Sequence, residues 1–184
     1  MLKKIVIIGP ESTGKSTLCA QLANYYSTMW VKEYAREYLD TYGTKYTYED
    51  LYKIAEGQMK NEKNVIDRLP VRGRMEEQKT SVFIDTDLYV IKVWSEFVFN
   101  KCDNRILTAI ANCRYDLYLL CNIDLAWIKD SMREYPDLRT REKLFYYYKE
   151  ALVNESVPWA TISGNYQERF RQAVAAVDNI LSTT

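Results

Sequence analysis

Gly9, Gly14, Lys15 and Ser16 stand at the spacing G-x-x-x-x-G-K-[ST], filled here as Gly9-Pro10-Glu11-Ser12-Thr13-Gly14-Lys15-Ser16. That pattern describes a loop that wraps the phosphates of a nucleoside triphosphate. Glycine at 9 and 14 lets the backbone fold around an anion with no Cβ in the way. The N–H groups of Glu11, Ser12, Thr13 and Gly14 then point inward as a nest. Lys15 falls at a helix N-terminus, where orphan N–H groups already favour phosphate, and its ammonium reaches toward the β and γ groups of ATP. Ser16 offers a hydroxyl to Mg²⁺, with Thr17 as its substitute. The competing reading is a glycine-rich turn with no nucleotide. Against it, Ile5-Val6-Ile7-Ile8 before the loop has strand character, and Thr17-Leu18-Cys19-Ala20-Gln21-Leu22-Ala23 after it opens a helix.

The loop names what is bound, not what is done with it, so the acids at strand ends come next. Val82-Phe83-Ile84 runs into Asp85-Thr86-Asp87. Asp85 is placed to hold Mg²⁺ opposite Ser16; its structural alternative is a helix cap. Asp87 either orients or deprotonates a substrate hydroxyl, or caps the helix beginning near Leu88. Met29-Trp30-Val31-Lys32 delivers Glu33, followed by Tyr34-Ala35-Arg36-Glu37-Tyr38. Glu33 and Arg36 supply an acid near an acceptor hydroxyl and a cation near a transferring phosphoryl group. An ordinary i,i+3 surface ion pair is the alternative.

Positioning these groups calls for a sheet. Strands are expected over 4–8, 29–32, 81–84, 115–121 and 159–162. Helices are expected over 16–26, from about 49 onward, and over 89–99, 104–112, 140–154 and 167–181. Thr47-Tyr48-Glu49-Asp50 resembles a capping box ahead of the second helix. Alternating strands and helices predict an α/β fold with a mainly parallel five-stranded sheet flanked by helices, the P-loop NTPase architecture, in a single domain over 1–184. The stretch 68–74 reads as a connection. Residues 124–141 are polar, carry Lys129, Arg133, Arg139 and Arg141, and are interrupted by Pro136; they are expected to form a lid over the phosphates. A solvated charged face is the alternative for any one of these cations. Trp94 returns to the helix side of Asp87, where it serves either the core or stacking on a flat heterocycle.

Composition narrows the class further. Charge is balanced at 25 basic and 25 acidic residues, so no global field points to nucleic acid or an anionic membrane. No apolar run is long enough for a membrane span, and the first strand follows Met1 too closely for a cleavable leader. The expected location is therefore cytoplasmic. Four cysteines show no C-x-x-C spacing, and three of them fall in apolar segments and read as small buried hydrophobes in a reducing compartment. Histidine is absent, so any general base is a carboxylate. Several of the 16 tyrosines are expected on helix faces, with some free to stack on a ligand. Oligomeric state is not legible, and a homo-oligomer is compatible with the chain.

Two rivals within the fold are set aside. Asn122-Ile123-Asp124 is superficially a guanine-reading motif, but its lysine is missing and the spacing is one short. No Asp-x-x-Gly follows the third strand either. Motor ATPases need a larger core and a second domain.

Several segments together resemble the ribosylnicotinamide kinase domain of the bacterial NadR-type NAD-biosynthesis proteins. They are the loop with its flanks from Ile7 to Leu18, Glu33-Tyr34-Ala35-Arg36-Glu37-Tyr38, and Phe83-Ile84-Asp85-Thr86-Asp87 with Val93-Trp94. Tyr115-Asp116-Leu117-Tyr118-Leu119-Leu120 and Gly164-Asn165-Tyr166-Gln167-Glu168-Arg169-Phe170 complete the set. The likeness implies ATP- and Mg²⁺-dependent phosphorylation of the ribose 5′-hydroxyl of nicotinamide riboside, giving nicotinamide mononucleotide. It implies phosphate binding at Gly14 to Thr17 and metal or hydroxyl handling at Asp85 and Asp87. Glu33 and Arg36 would stand near the acceptor, Arg133 to Arg141, with Arg139 among them, in the lid, and Gly164 and Asn165 near adenine. Trp94 would wall the nicotinamide pocket, with Tyr34, Tyr38 and Trp127 completing the substrate-binding set. Better-known members add a nucleotidyltransferase domain and sometimes a DNA-binding helix-turn-helix. Neither fits before Lys4, so this chain is expected to stop at the mononucleotide. The alternatives are another small nucleoside-like acceptor, or a nucleotide-binding regulatory module.

Overall fold

Ile5, Val6, Ile7 and Ile8 are all fully buried, and that fixes the architecture around them. Neighbouring side chains on a strand point to opposite faces, so a run apolar at every position needs cover on both sides. The computed structural model describes residues 2–69 and 80–183 and shows that arrangement. Five parallel strands, β1 (Leu2–Ile8), β2 (Trp30–Val31), β3 (Thr80–Asp85), β4 (Leu117–Cys121) and β5 (Trp159–Ile162), lie in the order β2-β3-β1-β4-β5.

The helices among the described residues are α1 (Lys15–Tyr25), α2 (Tyr34–Tyr42), α3 (Tyr48–Arg68), α4 (Leu88–Phe99), α5 (Asn104–Asn112), α6 (Leu138–Val153) and α7 (Tyr166–Ser182). Ile5, Ile7 and Phe83 meet Leu18 and Leu22 of α1 and Ala173 and Val177 of α7 on one face. Val6, Ile8 and Ile84 meet Val93 of α4 and Leu144 and Tyr148 of α6 on the other. A third apolar cluster joins Tyr38, Leu51, Ile54, Leu88, Ile91 and Ile106 across α2 to α5, beyond the sheet edge.

β1 has β3 on one side and β4 on the other, so the chain reverses its direction of travel at β1. The crevice beyond the carboxyl end of such a strand is where open α/β sheets bind ligands. The phosphate-loop sequence occupies that position.

The expected elements are present with shifted ends. The fourth strand starts at Leu117, not at 115, because Asp116 is held by Lys4: its N–H donates to Lys4 O at 2.9 Å, and its Oδ2 accepts the Lys4 N–H at 2.9 Å. Thr47 and Asp50 form the capping box of α3, with the Thr47 N–H on Asp50 Oδ2 at 2.8 Å. Helix α2 is an addition to the expected set. It begins directly after Glu33, with only Lys32 and Glu33 between the end of β2 and the helix. The connection expected over 68–74 lies mostly outside the described residues. Cys19 and Cys121 are buried while Cys102 and Cys113 are half-buried, all four with free thiols. Among the described residues no helix is long and apolar enough to cross a membrane.

Candidate active site

The loop between β1 and α1 is held by hydrogen bonds within itself. Gly9 has φ +139°, and a Cβ there would stand 2.6 Å from the Cys121 carbonyl oxygen of β4. Only glycine lets the loop approach that strand so closely. Thr13 Oγ1 donates to Pro10 O at 2.8 Å, and Lys15 Nζ donates to Gly9 O and Pro10 O at 3.0 Å each. Arg169 of α7, 2% exposed, braces the loop from behind. It donates to Thr13 O at 3.0 Å, Asn122 O at 2.9 Å and Gly164 O at 2.7 Å, and it ion-pairs with Asp124. Asp124 of the superficial guanine motif is therefore committed to this brace.

In front of the loop lies a cavity of 490 Å³ lined by residues 9 and 11–17, by Glu33 and Arg36, and by Trp94 and Tyr46. Leu39, Leu51, Ile54, Val90 and Ile91 make its far end apolar, while Ile128, Asp130, Met132, Arg133 and Glu134 close one side. A polar, phosphate-sized half thus faces an apolar, aromatic half across one space, the composition expected of a small-molecule site.

Asp85 ends β3 beneath the loop. It is 1% exposed, and neither carboxylate oxygen has a hydrogen-bond partner. Burial, then the negative charge of Glu33, raises its pKa, against the pull of Lys15, the Ser16 hydroxyl and Arg36. Buried polar atoms are nearly always paired, and an orphan carboxylate calls for an ion or water. The Ser16 hydroxyl and this carboxylate together fit a hard cation with oxygen ligands.

Glu33 sits at the N-cap of α2 and pairs with Arg36 Nε at 3.5 Å, while Arg36 Nη1 donates to Asp130 Oδ2 at 3.1 Å. Arg36 therefore ties the β2 end to the 122–137 segment. That segment, free of helix and strand, also rests on the phosphate loop. The Glu134 N–H donates to Glu11 Oε2 at 3.0 Å and the Tyr135 N–H to the same oxygen at 3.3 Å. Ser12 Oγ accepts the Ile128 N–H at 2.9 Å and Arg133 Nη1 at 3.3 Å. Burial raises the pKa of Glu11, which the Tyr135 and Glu134 N–H groups and Lys15 counteract. Trp94 Nε1 donates to the Tyr46 hydroxyl at 2.6 Å, fixing the indole against the cavity.

Other expected site residues are not brought to the cavity. Asp87, 2% exposed, caps α4: Oδ1 accepts the Tyr89 N–H at 3.0 Å, and Oδ2 accepts the Tyr118 hydroxyl at 2.9 Å. Burial pushes its pKa up to about 7, against those hydrogen bonds. Tyr34 lays its ring over Gly57 of α3, and Tyr38 turns its hydroxyl to Asp50 Oδ1 at 2.7 Å. Trp127 stacks near Arg133 and Arg141, 5.9 and 5.4 Å from ring centroid to guanidinium, away from the cavity wall. Arg139 is exposed on α6. Asn165 caps α7, accepting the Gln167 and Glu168 N–H groups at 3.0 Å each, while its neighbour Tyr166 lines the cavity beside Gly14.

Several lining residues had no distinguishing mark in the sequence. Tyr46, Tyr148 and Met132 look like any apolar or aromatic position on a helix or loop. Asp130 and Glu134 carried one usable signal, acids interleaved among the cations of a loop read as a lid.

A phosphate loop after the first strand, an orphan acid at the end of the adjacent strand and a facing apolar cavity define a nucleotide-binding α/β domain of the P-loop class. The AAA domain family matches residues 4–169, and the chain belongs to that family. It is 24% identical over 185 residues to the trifunctional NAD biosynthesis/regulator protein NadR of Escherichia coli (strain K12), and equally to that of Salmonella typhimurium (strain LT2). Each alignment covers 98% of this chain and 43% of the relative, so the chain spans less than half the length of these proteins. Among solved structures, NadR protein in complex with NR superposes with a TM-score of 0.79 at 22% identity, over 99% of this chain and 50% of that one. The deoxyadenosine kinase of M. mycoides shares the fold at a TM-score of 0.64 and 15% identity, over 96% and 99% of the two chains.

Proposed function

We propose that this domain transfers the γ-phosphoryl group of ATP to the ribose 5′-hydroxyl of nicotinamide riboside or a close analogue, giving the mononucleotide. The observation that carries this reading is the single cavity in which the phosphate loop faces Glu33, Arg36 and Trp94. The likeness to a NadR structure holding NR supports the acceptor. The fold shared with deoxyadenosine kinase favours, as second reading, another nucleoside in the same place.

On this reading the loop N–H groups and Lys15 hold the β- and γ-phosphates, Lys15 exchanging its two carbonyl partners for phosphate oxygens. Ser16 and Asp85 hold Mg²⁺, which when bound neutralises charge on the phosphate oxygens. The acceptor base lies against Trp94 and the apolar end. Its hydroxyl oxygen attacks the γ-phosphorus, the bond from that phosphorus to the bridging oxygen breaks, and ADP leaves. Glu33 takes the hydroxyl proton, in keeping with a reaction that asks more for position than for a strong base. Arg36 supplies positive charge beside the acid, and the 124–141 segment with Arg133 acts as the lid that keeps water out. Asp87 serves from beneath by fixing the start of α4, which carries Trp94.

Coupled ADP release across a panel of ribosides and nucleosides tests the proposal. Nicotinamide riboside is expected to raise the rate far above intrinsic hydrolysis and to gain one phosphoryl group by mass. Stimulation by none of the panel overturns the kinase reading, and stimulation by a different nucleoside alone overturns the acceptor.

A further inference from the structure

Three tyrosines in the described chain are buried, Tyr38, Tyr118 and Tyr148. Two have their hydroxyls paired, Tyr38 with Asp50 at 2.7 Å and Tyr118 with Asp87 at 2.9 Å. Tyr148, 2% exposed on α6, makes no hydrogen bond with any described residue, yet it lines the cavity. A tyrosine hydroxyl in a protein interior ordinarily finds an acceptor; that of Tyr148 is unpaired and not fully enclosed, so it opens on the cavity. The ring itself packs with Val6, Ile8, Leu120 and Leu144, so its position is set by the core.

The surroundings say what the hydroxyl is for. Burial comes first and the negative charges of Glu33, Glu11 and Asp87 follow in keeping the phenol protonated. It is therefore a donor. Thr86, which also lines the cavity, has a buried Oγ1 with no partner. Thr86 and Tyr148 thus border the same space, each with a hydroxyl that no described residue pairs.

We propose that Tyr148 is a substrate-binding residue whose hydroxyl donates a hydrogen bond to an oxygen of the acceptor's ribose. This rests on the kinase reading above and adds to it a specificity element for a hydroxylated acceptor. A site built to hydrogen-bond a substrate hydroxyl discriminates against the analogue that lacks it.

Tyr148→Phe removes the hydroxyl and keeps the ring. It is expected to raise the KM for nicotinamide riboside about 3- to 10-fold, the range of one neutral hydrogen bond, with the KM for ATP and the melting temperature unchanged. Ribosides lacking single ribose hydroxyls complete the test, and one of them is expected to bind wild type and variant equally. Tyr118→Phe is the contrast: it loses a bond inside the protein, so it lowers the melting temperature and leaves acceptor KM in place. Direct riboside binding, followed by calorimetry, separates the two levels of failure. A wild type that neither binds nor phosphorylates any riboside sinks the kinase reading and this proposal together. A fully active wild type matched by Tyr148→Phe in acceptor KM and affinity, or a variant altered only toward ATP, overturns the proposal alone.

Discussion

Glu11 and Glu134 are 123 residues apart in sequence, yet the carboxylate of the first receives the backbone N–H of the second at 3.0 Å. The phosphate loop is thereby clasped to the segment across the cavity, with Ser12 and Ile128 forming a second point of attachment. Glu11→Ala breaks the first clasp, which hydrogen bonds to a carboxylate place at about 1–2 kcal/mol after desolvation. Tryptic cleavage after Lys129 and Arg133 in the nucleotide-free protein is expected to accelerate several-fold. An unchanged cleavage rate would show that the 122–137 segment is held by other contacts.

Lys15 Nζ donates to two carbonyls of its own loop, 3.0 Å from each. Removing it withdraws no core contact, so Lys15→Met is expected to melt within about 0.5 kcal/mol of wild type. Phosphoryl transfer should fall by about 10²-fold or more, as when one preorganised donor is removed from a transition-state site. Retained turnover would place the phosphates elsewhere.

Asp87 gives the pH dependence. Its pKa is raised by burial to about 7, above the ordinary carboxylate value, so the folded state binds the proton more tightly than the unfolded state. Stability from this group is complete at low pH and is lost as pH rises through about 4 to 7. Asn cannot ionise. The stability of Asp87→Asn minus that of wild type should therefore climb across that window by about 2–4 kcal/mol and flatten on either side. Urea melts at half-unit pH steps measure it; a difference independent of pH rules out a titrating Asp87. Turnover of the variant at its optimum is expected to stay near wild type, because the group is not at the cavity surface.

Gly57 lies under the Tyr34 ring, and a Cβ there would fall 1.9 Å from Tyr34 Cε1. Gly57→Ala gains up to about 1 kcal/mol of helix propensity but must displace the ring, at about 1–3 kcal/mol. A net loss is expected, recovered when Tyr34→Ala is added. If the double variant is no better than the sum of the singles, the ring is not what the methyl strikes.

The contiguous parts of the site were legible because their chemistry is local. Residues 9–16 carry their whole meaning in eight neighbours, and the burial of Ile5–Ile8 follows from an uninterrupted apolar run. Asp87 was ambiguous for a physical reason: an acid between strand and helix has the same sequence surroundings whether it caps or catalyses. Tyr148 falls with Leu144 and Leu152 on one helical stripe, and nothing local marks a phenol that lacks a partner. Arg169 was visible only as part of a family-like segment, since the carbonyls it braces come from three separate loops. Strand order was likewise beyond local reading, because each strand is compatible with either neighbour until the helices are packed.

β2 is only two residues long, and what holds the acid beyond it is α3. Gln58, 3% exposed, accepts the Tyr34 N–H at 2.8 Å and donates to Thr86 O at 2.8 Å, and the same helix supplies Leu51 and Ile54 to the cavity. The phosphate loop, in contrast, is braced by α7 and β4. In evolutionary terms the two halves of the cleft are separately editable. Substitutions on α3 can reshape one wall of the acceptor side without touching a residue that grips the triphosphate.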